Sequence, residues 1–147
     1  MIIFDYGHTL LYEPGFDGAR GMQAVLENAV SNRSNKTVEE LVEFSNRLFD
    51  ELLGKARKCG IEVHNFNFQR LLYEYLGIET ALSPSEAERL FWENAAPGQE
   101  MPGAREMIKY INSRGIRSGV ISNIAFSGRL LTERINRLLP ENRFEFI

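Results

Sequence analysis

Cysteine is nearly missing from this sequence: Cys59 is the one thiol in 147 residues. A lone cysteine excludes an intramolecular disulfide and a cysteine-based zinc cluster, and it suits a reducing compartment. Long hydrophobic runs are missing too. No stretch approaches the roughly 18 apolar residues of a membrane-spanning helix. Met1-Ile2-Ile3-Phe4 opens without the basic flank or cleavage site of an export signal. Nor is there a block of Lys or Arg. The 17 basic and 20 acidic residues leave a formal charge of −3, which argues against nucleic acid as a main partner. The expectation is a cytoplasmic chain with neither membrane nor nucleic acid among its partners. With 44% hydrophobic and 25% charged residues, the composition is that of a folded protein and excludes disordered and collagen-like classes.

Proline is sparse but well placed. Pro14-Gly15, Pro97-Gly98 and Pro102-Gly103 mark turns, because Pro fixes one dihedral while Gly permits the unusual one. Between the first two, residues 16–98 read as helical almost throughout, with apolar residues at three- and four-residue steps. Four stripes stand out: Met22, Val25, Leu26 and Ala29; then Val38, Leu41, Val42, Leu48 and Leu52; then Phe68, Leu71, Leu72 and Tyr75; then Ala87, Leu90 and Phe91. Thr37 with Glu40 forms a capping box, and Ser83-Pro84-Ser85-Glu86 adds Pro at the first helical position, where its missing N–H is harmless. Gly60 and Gly77 are placed to end helices in the left-handed conformation. His64 reads as a residue at the start of a helix.

Outside this segment the pattern changes. Met1-Ile2-Ile3-Phe4 is too short for a helix and suits a buried strand. Ala104, Met107, Ile108 and Ile111 predict a helix ending at Gly115, followed by a strand over 116–122. A further helix is predicted over 127–139, stopped by Pro140, and Phe144-Glu145-Phe146-Ile147 alternates like the start of a third strand. Strand, helix, strand, helix, strand is a parallel α/β unit. The expected organisation is thus an α/β core of residues 1–15 and 99–147, with a helical insert over 16–98.

Two places put small polar residues where a predicted strand gives way to a loop, which in open parallel sheets is the binding edge. They are Asp5-Tyr6-Gly7-His8-Thr9 and Ser122-Asn123. A carboxylate at Asp5 could hold a divalent cation or attack an electrophile. Gly7 would let the backbone approach an anion, with amides forming a nest, and Thr9 and Ser122 would add hydroxyls. Together these describe a phosphate pocket. Singly, an Asp or Ser after a strand is more often a turn or helix cap.

Phe4-Asp5-Tyr6-Gly7-His8-Thr9-Leu10 resembles the first motif of the haloacid dehalogenase (HAD) superfamily, a strand ending in Asp with Thr four residues on. Gly119-Val120-Ile121-Ser122-Asn123 resembles its second motif, and Met101-Pro102-Gly103-Ala104-Arg105, with Arg114-Gly115, the helix before it. The resemblance implies a Rossmann-like core, here three parallel strands with helices, and a helical cap inserted after the first strand. It implies a Mg²⁺-dependent hydrolase acting on a small, anionic, phosphorylated metabolite. Asp5 would be the nucleophile, forming an aspartyl-phosphate, and Asp5 with the Gly7 carbonyl would hold Mg²⁺. Amides of the 6–9 segment, including those of Tyr6, Gly7 and Thr9, would bind phosphoryl oxygens with Ser122. Asn123 would either orient substrate or cap the next helix.

The chain departs from that family in three respects. Gly7 stands where phosphatases of the family carry a second Asp that protonates the leaving group, a role whose loss typically costs about 10²- to 10⁴-fold in rate. His8, an imidazole next in sequence, is the candidate to replace it in part, against the plain reading of a packed or solvated turn residue. No Lys follows Lys109, and the acidic pair that completes the family's Mg²⁺ site has no counterpart. Two alternatives therefore accompany the phosphatase reading: a dehalogenase-type or other carbon-directed hydrolase using Asp5, and a catalytically silent interaction module. A sheet holding only the family's first three strands leaves the first with an open edge. The expectation is an N-terminal portion of a longer protein, or a chain whose edge is covered by another copy or a second chain. Residues 99–147 carry eight Lys or Arg against five Glu, and residues 16–98 nine against thirteen acids, so the core segment is the better host for an anion.

Overall fold

The computed structural model describes residues 1–147, the side chain of Arg57 excepted. It is a mixed α/β fold that divides into two compact units, Met1–Gly15 with Pro97–Ile147, and Phe16–Ala96.

In the discontinuous unit, β1 (Ile2–Phe4) pairs in parallel with β6 (Ser118–Val120), Ile2 opposite Ser118 and Phe4 opposite Val120. Side chains alternate across a strand. Phe4 and Val120 accordingly turn inward, whereas Ile3 is 55% exposed. A short antiparallel pair, β2 (Leu11–Tyr12) with β5 (Gln99–Glu100), closes the base of the loop that follows β1. Helix α6 (Ala104–Ser113) buries Ala104, Ile108 and Ile111, a stripe at helical spacing, between left-handed Gly103 and Gly115. Helix α7 (Gly128–Leu138) starts at Ser127, whose side chain accepts from the Leu130 amide, and buries Leu130, Leu131, Arg134 and Ile135.

The predicted third parallel strand does not form. Residues 144–147 run beside β6 on the edge away from β1: the Glu145 amide donates to the Ser118 carbonyl (2.9 Å) and the Val120 amide to the Phe146 carbonyl (3.0 Å). These two bonds are one residue out of step with an even parallel ladder, so the segment runs beside β6, with a bend at Glu145, without joining the sheet. Gly119 permits the approach. A β-carbon there would lie 2.5 Å from the Phe146 ring.

The second unit contains α1 (Gly18–Leu26), β3 (Ala29–Asn32), α2 (Val38–Leu48), a π-helical turn (Phe49–Leu53), α3 (Gly54–Lys58), α4 (Asn65–Leu76), β4 (Ile78–Thr80) and α5 (Pro84–Ala95). Both capping boxes form, at Thr37 with Glu40 and at Ser83 with Glu86. His64 starts α4, its Nδ1 accepting from the Phe66 amide at 3.1 Å, and left-handed Gly77 ends it. Helices α1 and α5 meet at Gly21, where a β-carbon would fall 2.7–2.9 Å from Phe91 and Ala95. The insert is not helical almost throughout: β3 and β4 pair antiparallel, with an irregularity between Ala29 and Ser31. Ala29 therefore belongs to a strand, and the first apolar stripe stops at Leu26. Leu52, placed by periodicity in the second stripe, lies in the π-helical turn.

Candidate functional site

Asp5 follows β1 directly, and Ser122 and Asn123 follow β6. Because Phe4 is opposite Val120, and the Ile121 amide donates to the Phe4 carbonyl (3.0 Å), the two chain segments leave the same carboxyl edge of adjacent parallel strands. That edge brings the Asp5 and Ser122 segments together. Asp5 is exposed, and its Oδ1 accepts from the Tyr6 amide at 2.7 Å. Ser122 is half-buried and Asn123 exposed; neither side chain makes a hydrogen bond among the described residues. Asn123 does not cap the following helix, since Ser127 holds that position.

The segment after Asp5 is a tight turn wound around one carbonyl. The amides of Thr9 (3.4 Å), Leu10 (3.1 Å) and Leu11 (3.2 Å) all point at the Tyr6 oxygen, and the His8 amide donates to the Leu11 carbonyl (2.8 Å). Gly7 is the residue of this turn whose amide has no acceptor among the described residues. His8 takes the left-handed conformation at φ 55°, uncommon for a residue with a side chain. His8 and Thr9 are exposed, with side chains unengaged among the described residues.

Tyr6 anchors the turn from beneath. Its ring is buried, and its hydroxyl donates to Glu13 Oε1 at 2.7 Å. Arg134 Nη1 donates to the same Glu13 oxygen (3.2 Å) and to the Tyr6 hydroxyl (3.4 Å). Burial pushes the Tyr6 hydroxyl well above its ordinary pKa of 10.0, with the Arg134 hydrogen bond opposing and Glu13 adding to the rise. The Arg134 side chain is 0% exposed. Sequence reasoning missed this network, although a signal was present. Arg134 interrupts the apolar face of α7 at a position that Leu131 and Ile135 mark as buried, and an arginine there needs an acid.

The donors available for a cation are the Asp5 carboxylate and the Gly7 carbonyl, hard oxygens at an exposed edge. They fit Mg²⁺ in kind, since that ion is held by one or two carboxylates and keeps several waters. No group of three or more His, Cys, Asp or Glu side chains is gathered anywhere among the described residues. No helix among them is long and apolar enough to cross a membrane. Neither a protein-family model nor a curated protein matches this chain.

Proposed function

We propose that the protein is a HAD-like hydrolase of the phosphatase type, acting on a small phosphorylated metabolite through Asp5. One observation carries the reading: Asp5 and Ser122 leave the carboxyl edge of two adjacent parallel strands, in the order and spacing of that family's first two motifs. A carboxylate oxygen of Asp5 attacks phosphorus as the ester P–O bond breaks, and the electron pair leaves on the substrate alcohol oxygen. The aspartyl-phosphate is then hydrolysed by water. The Ser122 hydroxyl and the Gly7 amide hydrogen-bond phosphoryl oxygens, and Asn123 orients the substrate. The amides of Tyr6 and Thr9 can join them on giving up their bonds to Asp5 and to the Tyr6 carbonyl, the second of which is long at 3.4 Å. Asp5 and the Gly7 carbonyl would hold Mg²⁺, which supplies charge to offset repulsion between an anionic nucleophile and an anionic substrate. Because Gly7 offers no proton, His8 supplies part of the leaving group's need and solvent the rest.

That same Gly7 favours a second reading, in which Asp5 displaces a leaving group from carbon and no acid is required, as in dehalogenation. The edge of β1 away from β6 carries no further strand among the described residues. A second copy or another chain pairing there belongs to both readings, and light scattering would register it as a species larger than the monomer.

The deciding experiment offers p-nitrophenyl phosphate and a 2-haloacid in turn, each with Mg²⁺ or with EDTA. The phosphatase reading expects Mg²⁺-dependent phosphate release that Asp5→Asn abolishes. Halide release lost in the same variant favours the second reading. Turnover equal in wild type and Asp5→Asn removes Asp5 as nucleophile, and no turnover of either leaves a silent interaction module.

A further inference from the structure

The turn that follows Asp5 is tied from below by three side chains that the proposed chemistry does not use. Tyr6 stands at the start of the 6–13 segment and Glu13 at its end, so the 2.7 Å bond from the Tyr6 hydroxyl to Glu13 Oε1 closes that segment into a loop. Arg134 locks the closure. Its Nη1 donates to the same carboxylate oxygen (3.2 Å) and to the Tyr6 hydroxyl (3.4 Å), and its side chain is buried. The backbone of Tyr6 is committed as well. Its amide donates to Asp5 Oδ1 at 2.7 Å, and its carbonyl accepts from the amides of Leu10 (3.1 Å) and Leu11 (3.2 Å). A buried ring fixed at its hydroxyl end cannot slide without carrying these bonds along. Arg134 adds a second constraint, because it stands on α7, the helix that follows Ser122 and Asn123. One cation thus joins the chain leaving β1 to the helix beyond the chain leaving β6.

We propose that Glu13 and Arg134 are positioning residues for the nucleophile: acting through the Tyr6 hydroxyl, they hold the turn, and with it Asp5 and the Gly7 amide, in place beside Ser122. The assignment rests on the reading of Asp5 as the attacking group. Neither Glu13 nor Arg134 touches substrate. A buried ion pair gains little stability over apolar side chains of the same volume, so bulk stability does not account for a cation at this place. Hydrogen bonds add direction, which apolar contact lacks. Direction matters under a reacting group, because a misplacement of about 1 Å costs on the order of 10²-fold in rate.

Steady-state kinetics and amide hydrogen exchange on the full chain, well below the melting transition of every variant, test it. Tyr6→Phe removes the hydroxyl and leaves Glu13 and Arg134 in place. It should lower kcat for p-nitrophenyl phosphate, or for a 2-haloacid if that is what the wild type turns over, by about 2- to 10-fold with KM little changed, the range of one net hydrogen bond. The Leu10 and Leu11 amides should lose more exchange protection than those of Ile108 and Ile135, which report the unit as a whole. Glu13→Leu should lower kcat at least as far, and Glu13→Gln, which keeps an oxygen acceptor, should recover most of the loss. This pair serves if Tyr6→Phe does not fold. A Tyr6→Phe variant with the kcat of wild type, where Asp5→Asn is inactive, overturns the proposal and leaves the Asp5 reading standing. So does protection lost equally at all four amides, or a Glu13→Gln no more active than Glu13→Leu. A wild type that turns over neither substrate overturns both, and is told apart because Asp5→Asn then changes nothing.

Discussion

Replacing Glu13 by Met takes away the carboxylate that lies 3.2 Å from the Arg134 guanidinium, whose side chain is 0% exposed. Removing one partner of a buried pair typically costs about 3–5 kcal/mol, because hydration cannot replace the lost carboxylate at a site away from water. The reverse change, Arg134→Met, strands much less. Glu13 is 27% exposed and keeps the Tyr6 hydroxyl as a donor at 2.7 Å, so its carboxylate can hydrate where the guanidinium cannot. Met also preserves most of the arginine stem, so the loss reduces to about one charge-assisted hydrogen bond, roughly 1.5–3 kcal/mol. Glu13→Met should therefore be the more damaging change by about 2 kcal/mol. The double variant should lie close to Arg134→Met, since once the cation is gone no buried charge remains to be compensated. Urea denaturation at pH 7 with an unchanged slope reads all three differences. An Arg134→Met variant as damaging as Glu13→Met, or strictly additive losses in the double variant, would refute the reasoning.

Gly21→Ala places a methyl 2.7–2.9 Å from Phe91 and Ala95. Overpacking of about 1–3 kcal/mol should outweigh the gain in helix propensity and lower the melting temperature; a raised Tm would contradict the close approach of α1 and α5. His8→Gly relieves a left-handed residue at φ 55° and should raise the urea midpoint by the equivalent of about 0.5–1 kcal/mol, a lower midpoint showing that the imidazole makes a contact of its own. Hydrogen bonds from Arg105 hold Glu141 below its ordinary pKa of 4.5, and those from Arg117 do the same for Glu145. A depressed folded-state pKa contributes stability above the ordinary value that is lost as pH falls, so stability should decline below pH 4.5, and less steeply in Arg105→Met. The raised pKa of Tyr6 acts at the other end. Its contribution is intact below pH 10.0 and lost above it, and Tyr6→Phe should flatten the alkaline limb of the stability profile.

The helix boundaries of this protein were legible in its sequence. Thr37 and Glu40, Ser83-Pro84 and Glu86, His64, Gly77 and Gly115 all act on backbone groups a few residues away, so the chain needs nothing distant to place them. The positions of Asp5 and Ser122 at strand ends were legible for a related reason, since an apolar run that meets a small polar residue marks where burial stops. What lay beyond reach depends on partners that only folding supplies. The strands at Ala29–Asn32 and Ile78–Thr80 are too short to show a period, and they exist because each satisfies the other's backbone. Residues 144–147 alternate like a strand, yet they meet β6 out of step, with the Phe146 ring against Gly119. Asn123 lost the helix cap to Ser127, four residues on, where α7 actually starts. Arg134 became the anchor beneath Tyr6 because the fold brings Glu13 to it. The sequence by itself determined what backbone groups ask of near neighbours; the tertiary structure decided which side chains and strands meet across the chain, because those energies exist only once distant segments are in contact.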